Sequence, residues 1–123
     1  MACNGQPGNL VPVRDFIELT TQTQQVGVNT TGDNPVENIT MSISGADAGL
    51  FQITQQLPST TLAGAYSNFT VGLIPGVPCV GTGGLGADKP EAVLTISGTS
   101  CGQPVLIVMD MFANCNVLNN VGG

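Results

Sequence analysis

The chain has 123 residues, of which two are basic, eight are acidic and none is histidine, so its net charge is −6. Two cations are too few for the basic patch that nucleic acids or anionic membranes require, so we predict neither as a partner. Charged residues make up 8% of the chain, against about 25% in ordinary soluble domains. Because few charges would need to be desolvated at a contact, this composition favours close packing against other proteins.

The beginning of the chain predicts an extended arm. Residues 1–12 are punctuated by Gly and Pro, which is typical of irregular, extended chain. They contain neither the basic nor the apolar region of a signal peptide, so we predict either use without that export route or a leader that precedes the sequence. No stretch of about 18 apolar residues predicts a membrane-spanning helix.

Alternating apolar and polar residues predict about seven short strands within residues 13–113. We predict strands over 14–19, 23–31, 36–44, 51–54, 66–74, 91–97 and 104–112, with a small strand near 60–62. A turn at 32–35, a Gly-rich loop at 75–90 and an amide-rich tail at 114–123 separate or follow them. No segment of helical length has the apolar spacing of a helix, so the predicted fold class is all-β, an antiparallel β-sandwich.

The segment from Gly45 to Phe51 predicts a corner between two strands. It follows an alternating run whose apolar residues, Ile39 to Ile43, share one face. The glycines and Asp47 break that strand, and Phe51 returns the chain to the core. We interpret Asp47 as a turn former that accepts backbone N–H bonds. A calcium site at Asp33 or Asp47 is disfavoured because no cluster of alternating aspartates supports it.

An ordered set of short patterns runs through residues 14–98. It comprises Gly32-Asp-Asn-Pro-Val36, Ile-x-Met-x-Ile, Gly45-x-Asp47-x-x-x-Phe51-x-Ile53, Phe69-x-Val and Ala92-x-Leu-x-Ile96. This set resembles the Ig-like β-sandwich family of ASPM/SPD-2/hydin domains and bacterial choice-of-anchor domains. The resemblance implies an immunoglobulin-like sandwich of about seven strands and a non-catalytic role in surface, appendage or motile assemblies. The 75–90 loop departs from the family pattern, because it is longer and carries Cys79.

The four cysteines are Cys3, Cys79, Cys101 and Cys115. None has C-x-x-C spacing and the chain has no His, so two disulfides are favoured over a zinc site, with free thiols as the alternative. In the strand order that the resemblance implies, the strands before Cys79 and Cys115 end at the same pole. The strand before Cys101 ends at the opposite pole, where the first strand begins. This order predicts the pairs Cys79–Cys115 and Cys3–Cys101.

The residue inventory does not favour an enzyme. A catalytic set of Ser, His and Asp is missing, and we predict no cofactor or metal. The stretch Gly81 to Gly86 lacks the Gly-Lys-Ser/Thr ending of a phosphate-binding loop, so we interpret it as a flexible loop. Asp110 interrupts an apolar strand and is expected to point outward or into an interface, because an unpaired buried carboxylate is costly.

These observations predict a structural interaction module, present in many copies on the surface of a larger assembly. A virion capsid decoration protein and an extracellular appendage subunit both fit, with further copies or a capsid or fibre scaffold as partners. Strand edges and the terminal arms would make the contacts. The alternative is a cell-surface recognition or adhesion module that binds carbohydrate or protein through the 75–90 loop. Carbohydrate is disfavoured because the chain has no Trp and one Tyr.

Overall fold

Two four-stranded β-sheets pack face to face in the computed structural model, which describes residues 3–120. The strands are β1 Asn9–Pro12, β2 Phe16–Leu19, β3 Thr23–Thr31, β4 Glu37–Ser44, β5 Phe51–Gln55, β6 Tyr66–Leu73, β7 Glu91–Ser100 and β8 Gln103–Ala113. A 3₁₀ turn, Ala48–Leu50, precedes β5, and a helix, α1 Cys115–Asn120, follows β8. The first sheet has the order β1-β3-β6-β5 and the second β2-β8-β7-β4. This arrangement is an Ig-like β-sandwich, which confirms the predicted fold class.

One strand pair departs from the predicted antiparallel pattern. β2 runs parallel to β8, with Ile17 opposite Met111, whereas the other pairs are antiparallel. The chain leaves the first sheet after Pro12 and enters the second at Phe16 without reversing by a hairpin. The N-terminal segment therefore contributes an edge strand to each sheet.

The core lies between the sheets and follows the alternation of the sequence. Along most of each strand the large apolar residues of one parity are buried, and the residues of the other parity are more exposed; in β3 and β6 a glycine of the other parity is buried as well. The first sheet contributes Val26, Val28, Phe69 and Val71 to the core, and the second contributes Leu94, Ile96, Met109 and Met111. Phe51 is also buried, as the predicted corner requires.

Two segments outside the predicted sandwich are ordered elements. Residues 9–12 of the predicted arm form β1, in which Leu10 is buried and pairs with Thr30. In the predicted tail, the Asn114 side chain accepts a hydrogen bond from the Val117 N–H, which caps the start of α1. The predicted strand near 60–62 is only an isolated bridge between Val36 and Thr61. The remaining arm and tail residues, 1–2 and 121–123, lie outside the described residues.

Residues 3–8 of the arm are bonded to their own domain. The Asn34 amide donates to the carbonyl oxygens of Asn4 and Gln6 at 3.0 and 2.7 Å. The Gly8 N–H donates to the buried Ser100 hydroxyl at 2.7 Å. These groups are therefore occupied by bonds within the domain.

Candidate functional site

Two disulfides fasten the chain at opposite poles of the sandwich. Cys3 is bonded to Cys101 and Cys79 to Cys115, with Cα–Cα distances of 5.7 Å in both. These are the pairs that the implied strand order predicted. The bridges span sequence separations of 98 and 36 residues, so each removes considerable freedom from the unfolded chain.

Asp47 ties the strand corner to the 75–90 loop. Its buried carboxylate accepts a 2.6 Å hydrogen bond from the Thr82 hydroxyl. It also accepts the backbone N–H of Thr82 at 3.0 Å and that of Glu91 at 3.0 Å. The Thr82 hydroxyl, followed by the Glu91 N–H, holds the pKa of Asp47 below its ordinary value, against the opposing effect of burial.

Asp47 accepts backbone N–H bonds, as predicted, but the donors are Thr82 and Glu91 instead of residues of the turn that it precedes. Asp47 precedes the 3₁₀ turn but makes no side-chain cap bond to it. Gly45 instead carries the local conformation, since its φ is 109° and an added Cβ would lie 3.2 Å from the Cα of Ala92. Nothing in the sequence near Asp47 indicates its partners, because they lie 35 and 44 residues further along the chain.

The 75–90 loop is fastened to the rest of the domain at several points. The Cys79–Cys115 bridge holds its first half, and the Asp47 bonds hold Thr82. The Gly81 N–H donates to the Ala87 carbonyl oxygen at 2.8 Å and closes the loop on itself. Leu85 remains 51% exposed beside the second sheet.

The outer face of the second sheet is apolar and exposed. Every second residue of β8 points outward, beginning with Leu106 and Val108, which are 63% and 58% exposed. Asp110 is also exposed, as predicted, and Phe112 is half-buried. Phe16 from β2 is 51% exposed and stacks on Phe112, with ring centroids 6.0 Å apart. We call these residues, with Val93 of β7, the outer face.

A shallow pocket of about 470 Å³ opens at one end of the outer face. Phe16, Val93, Asp110 and Phe112 line its floor and sides, and Leu85 reaches it from the 75–90 loop. Sequence reasoning did not find this pocket. Its only signal in the sequence was that residues of both parities are apolar in the predicted strand over 104–112.

The strand edges are less suited to contact than the outer face. β1 and β2 are four residues long and β5 is five, so they offer few unpaired backbone groups. The longer β4 edge is partly covered, because the Ile39 N–H donates to the Ser59 carbonyl oxygen and Val36 bridges to Thr61. The outer face therefore replaces the strand edges as the principal candidate surface.

Within residues 3–120, no group of three or more acidic, Cys or His side chains is placed to hold a metal ion. In that same part of the chain, no helix has the length and apolar character needed to cross a membrane.

The fold has counterparts among solved structures. Neither a family model nor a curated protein sequence matches the chain significantly. The periplasmic chaperone SfaE matches with a TM-score of 0.65 and 11% identity, over 89% of this chain and 58% of that one. The CupB2 chaperone of Pseudomonas aeruginosa matches with 0.62 and 11%, over 91% and 59%. The VesB protease of Vibrio cholerae matches with 0.59 and 9%, over 86% and 32%.

These likenesses show the fold alone, because the identities are low and the matched proteins differ in activity. The chain spans less than two thirds of the length of the two chaperones. Fold and bridges together define a disulfide-bonded Ig-like sandwich. Disulfides persist in oxidising surroundings, which indicates an extracellular or periplasmic protein.

Proposed function

We propose that the chain is a non-catalytic structural interaction module that binds protein partners through its outer face. It would stand in many copies on the surface of a larger assembly, with further copies or a scaffold as partners. The exposed apolar outer face carries this proposal, since Leu106, Val108 and Phe16 are each more than half exposed on one sheet. Contiguous apolar surface of this kind is typical of protein contacts.

The composition of the outer face lowers the free-energy cost of removing water when a partner binds. Thr95 and Ser97 stand beside Val108 and Leu106 in the strand register, so uncharged side chains border the apolar ones. Desolvating hydroxyl and apolar groups costs less than desolvating charges. The acidic residues gather at one end of the face, at Asp110 and Glu91.

The two disulfides favour a site of action outside the reducing cytosol. A virion surface and an extracellular appendage both satisfy that condition, and we propose one of these settings. Membership of the ASPM/SPD-2/hydin type remains part of this proposal and rests on the sequence patterns from Gly32 to Ile96. A non-enzymatic role is supported by the absence of His from the sequence.

Two leucines allow a matched test. Leu106 lies on the outer face and is 63% exposed, whereas Leu62 lies elsewhere and is 68% exposed. We expect Leu106→Asp to abolish self-association or co-sedimentation with particles or fibres of the source, and Leu62→Asp to leave both unchanged. Light scattering after size exclusion and pelleting of particles provide the readouts. A wild-type protein that stays a monomer and binds no particle or fibre would contradict the proposal.

A second candidate function uses the 75–90 loop as an adhesion surface. Its support is that the loop is held by the Cys79–Cys115 bridge and the Asp47–Thr82 bonds while Val80 and Leu85 stay exposed. Residues 75–90 contain no aromatic side chain, so a protein ligand fits better than a carbohydrate. A glycan array without hits, together with loss of cell binding in Val80→Asp, is the expected result for this candidate.

A further inference from the structure

Aromatic and acidic side chains alternate at the end of the outer face that holds the pocket. Phe112 of β8 stands between Glu18 of β2 and Glu91 of β7 in the strand register. One step further along β8, Asp110 stands between Phe16 and Val93. Side chains directly opposite on one sheet face lie about 4.5–5.5 Å apart at Cβ. Glu18 and Glu91 therefore flank Phe112, and Asp110 stands beside Phe16.

The three carboxylates differ in how they are held. Glu91 Oε2 accepts the Leu85 N–H at 2.9 Å, and Glu18 Oε2 accepts the Asn114 side-chain amide at 3.3 Å. Asp110 is exposed, and within residues 3–118, whose side chains the structure describes, its carboxylate accepts no hydrogen bond. Two carboxylates are thus oriented by the protein, and the third is available to a ligand.

The pocket lining contains no basic side chain. Arg14, one of the two cations of the chain, lies in a neighbouring hollow with Asp15 and Glu18, on the other side of Phe16. The pocket therefore combines aromatic faces with negative charge that the domain does not neutralise there. A second copy of this face would bring further carboxylates, so electrostatics disfavours contact between two identical faces.

We propose that this pocket receives an arginine side chain of a partner protein. The inference rests on the proposed function, since it specifies the chemistry of the partner that meets the outer face. A guanidinium group is planar and weakly hydrated, so it stacks on phenyl rings and donates to carboxylates at the same time. In the pocket it would lie against Phe16 and Phe112 and donate to Asp110. Lysine is more strongly hydrated and has no planar face, so it fits less well.

An NMR titration of the ¹⁵N-labelled full chain tests this with two probes of the same shape. N-acetyl-arginine amide carries the guanidinium, and N-acetyl-citrulline amide carries an uncharged urea group in its place. We expect the arginine probe to shift the backbone amides of Glu91, Val93 and Asp110, and to bind about two- to fivefold more tightly than the citrulline probe. Added salt is expected to reduce that ratio.

Two variants that each remove one negative charge distinguish binding at the pocket from general attraction of the arginine probe to an acidic protein. Asp110→Asn should remove most of the preference for arginine. Glu37→Gln changes an exposed carboxylate at the far end of β4, opposite Thr99, and should leave the preference unchanged. The inference would be overturned if the two probes bind equally or if the shifts are confined to other surfaces. It would also be overturned if both variants have equal effects or if N-acetyl-lysine amide binds more tightly.

Leu106→Asp and Asp110→Asn together distinguish a failure of this inference from a failure of the proposed function. If Leu106→Asp abolishes association while Asp110→Asn has no effect on either association or probe preference, the outer face is an interface and the arginine pocket is wrong. If Leu106→Asp leaves association intact, the proposed interface is wrong, and the probe titration still decides whether the pocket prefers arginine.

Discussion

The Thr82 hydroxyl donates a 2.6 Å hydrogen bond to the carboxylate of Asp47, which precedes it by 35 residues. Hydrogen bonds to a charged acceptor are stronger than those between neutral groups. This bond connects the corner after β4 to the middle of the 75–90 loop, close to Leu85 and the candidate pocket. The position of the loop beside the outer face therefore depends on an ionised Asp47.

Replacing Thr82 with Val should release the middle of the 75–90 loop. The variant loses the hydroxyl donor but keeps the backbone N–H bond to Asp47. We expect thermolysin to cleave near Val80 or Leu85 about tenfold faster, because local opening of the loop becomes more populated. Mass spectrometry of the fragments locates the cut. Asp15→Asn, at an exposed site outside the loop, serves as the control, and equal cleavage of Thr82→Val and wild type would contradict the anchoring role.

The lowered pKa of Asp47 predicts a loss of stability in acid. Its pKa in the folded protein lies below the ordinary 3.8, so the unfolded chain binds the proton more readily. The stabilisation is present in full above that ordinary value and is lost as the pH falls through the lower folded value. Denaturant midpoints at pH 7 and pH 3 should therefore differ less in Asp47→Asn than in wild type. A wild-type difference no larger than that of the variant would show that Asp47 does not contribute.

Strands that depend on the local alternation of apolar and polar residues were predicted from the sequence. Features that depend on strand register or on contacts between distant residues were missed. The strand from Thr23 to Thr31 was placed with its observed bounds, because Val26 and Val28 alternate with polar residues. Leu10 was missed as a strand residue, since Pro7, Gly8 and Pro12 flank its short apolar segment. Its burial comes from pairing with Thr30, which is distant in sequence.

The candidate pocket was beyond prediction for a related reason. It forms only when β2, β8 and β7 align so that Phe16, Asp110 and Val93 share a row. The parallel pairing of β2 with β8 sets that row, and the alternation within each strand does not encode it. The sequence did indicate the outward direction of Asp110, because its charge leaves few alternatives in an apolar strand.

The two disulfides should respond differently to a reductant. Cys3 is exposed, whereas Cys115 is 3% exposed, so a thiolate reaches the Cys3–Cys101 bridge more easily. We expect dithiothreitol, with alkylation at timed intervals and peptide mapping, to show alkylated Cys3 and Cys101 first. Each bridge should contribute about 2–4 kcal/mol to the free energy of unfolding. Earlier alkylation of Cys79 and Cys115, or a peptide joining Cys3 to Cys115, would contradict this order.

Two glycines four residues apart offer a matched test of the corner. Gly45 has a φ of 109°, and a Cβ there would lie 3.2 Å from the Cα of Ala92, whereas a Cβ at Gly49 meets nothing within 4 Å. Gly45→Ala should lower the free energy of unfolding by about 1–3 kcal/mol, because a side chain is strained in that conformation. Gly49→Ala should change it little or raise it by up to about 1 kcal/mol, since alanine restricts the unfolded chain. Urea unfolding followed by circular dichroism measures both, and equal midpoints for the two variants would show that Gly45 does not hold the corner.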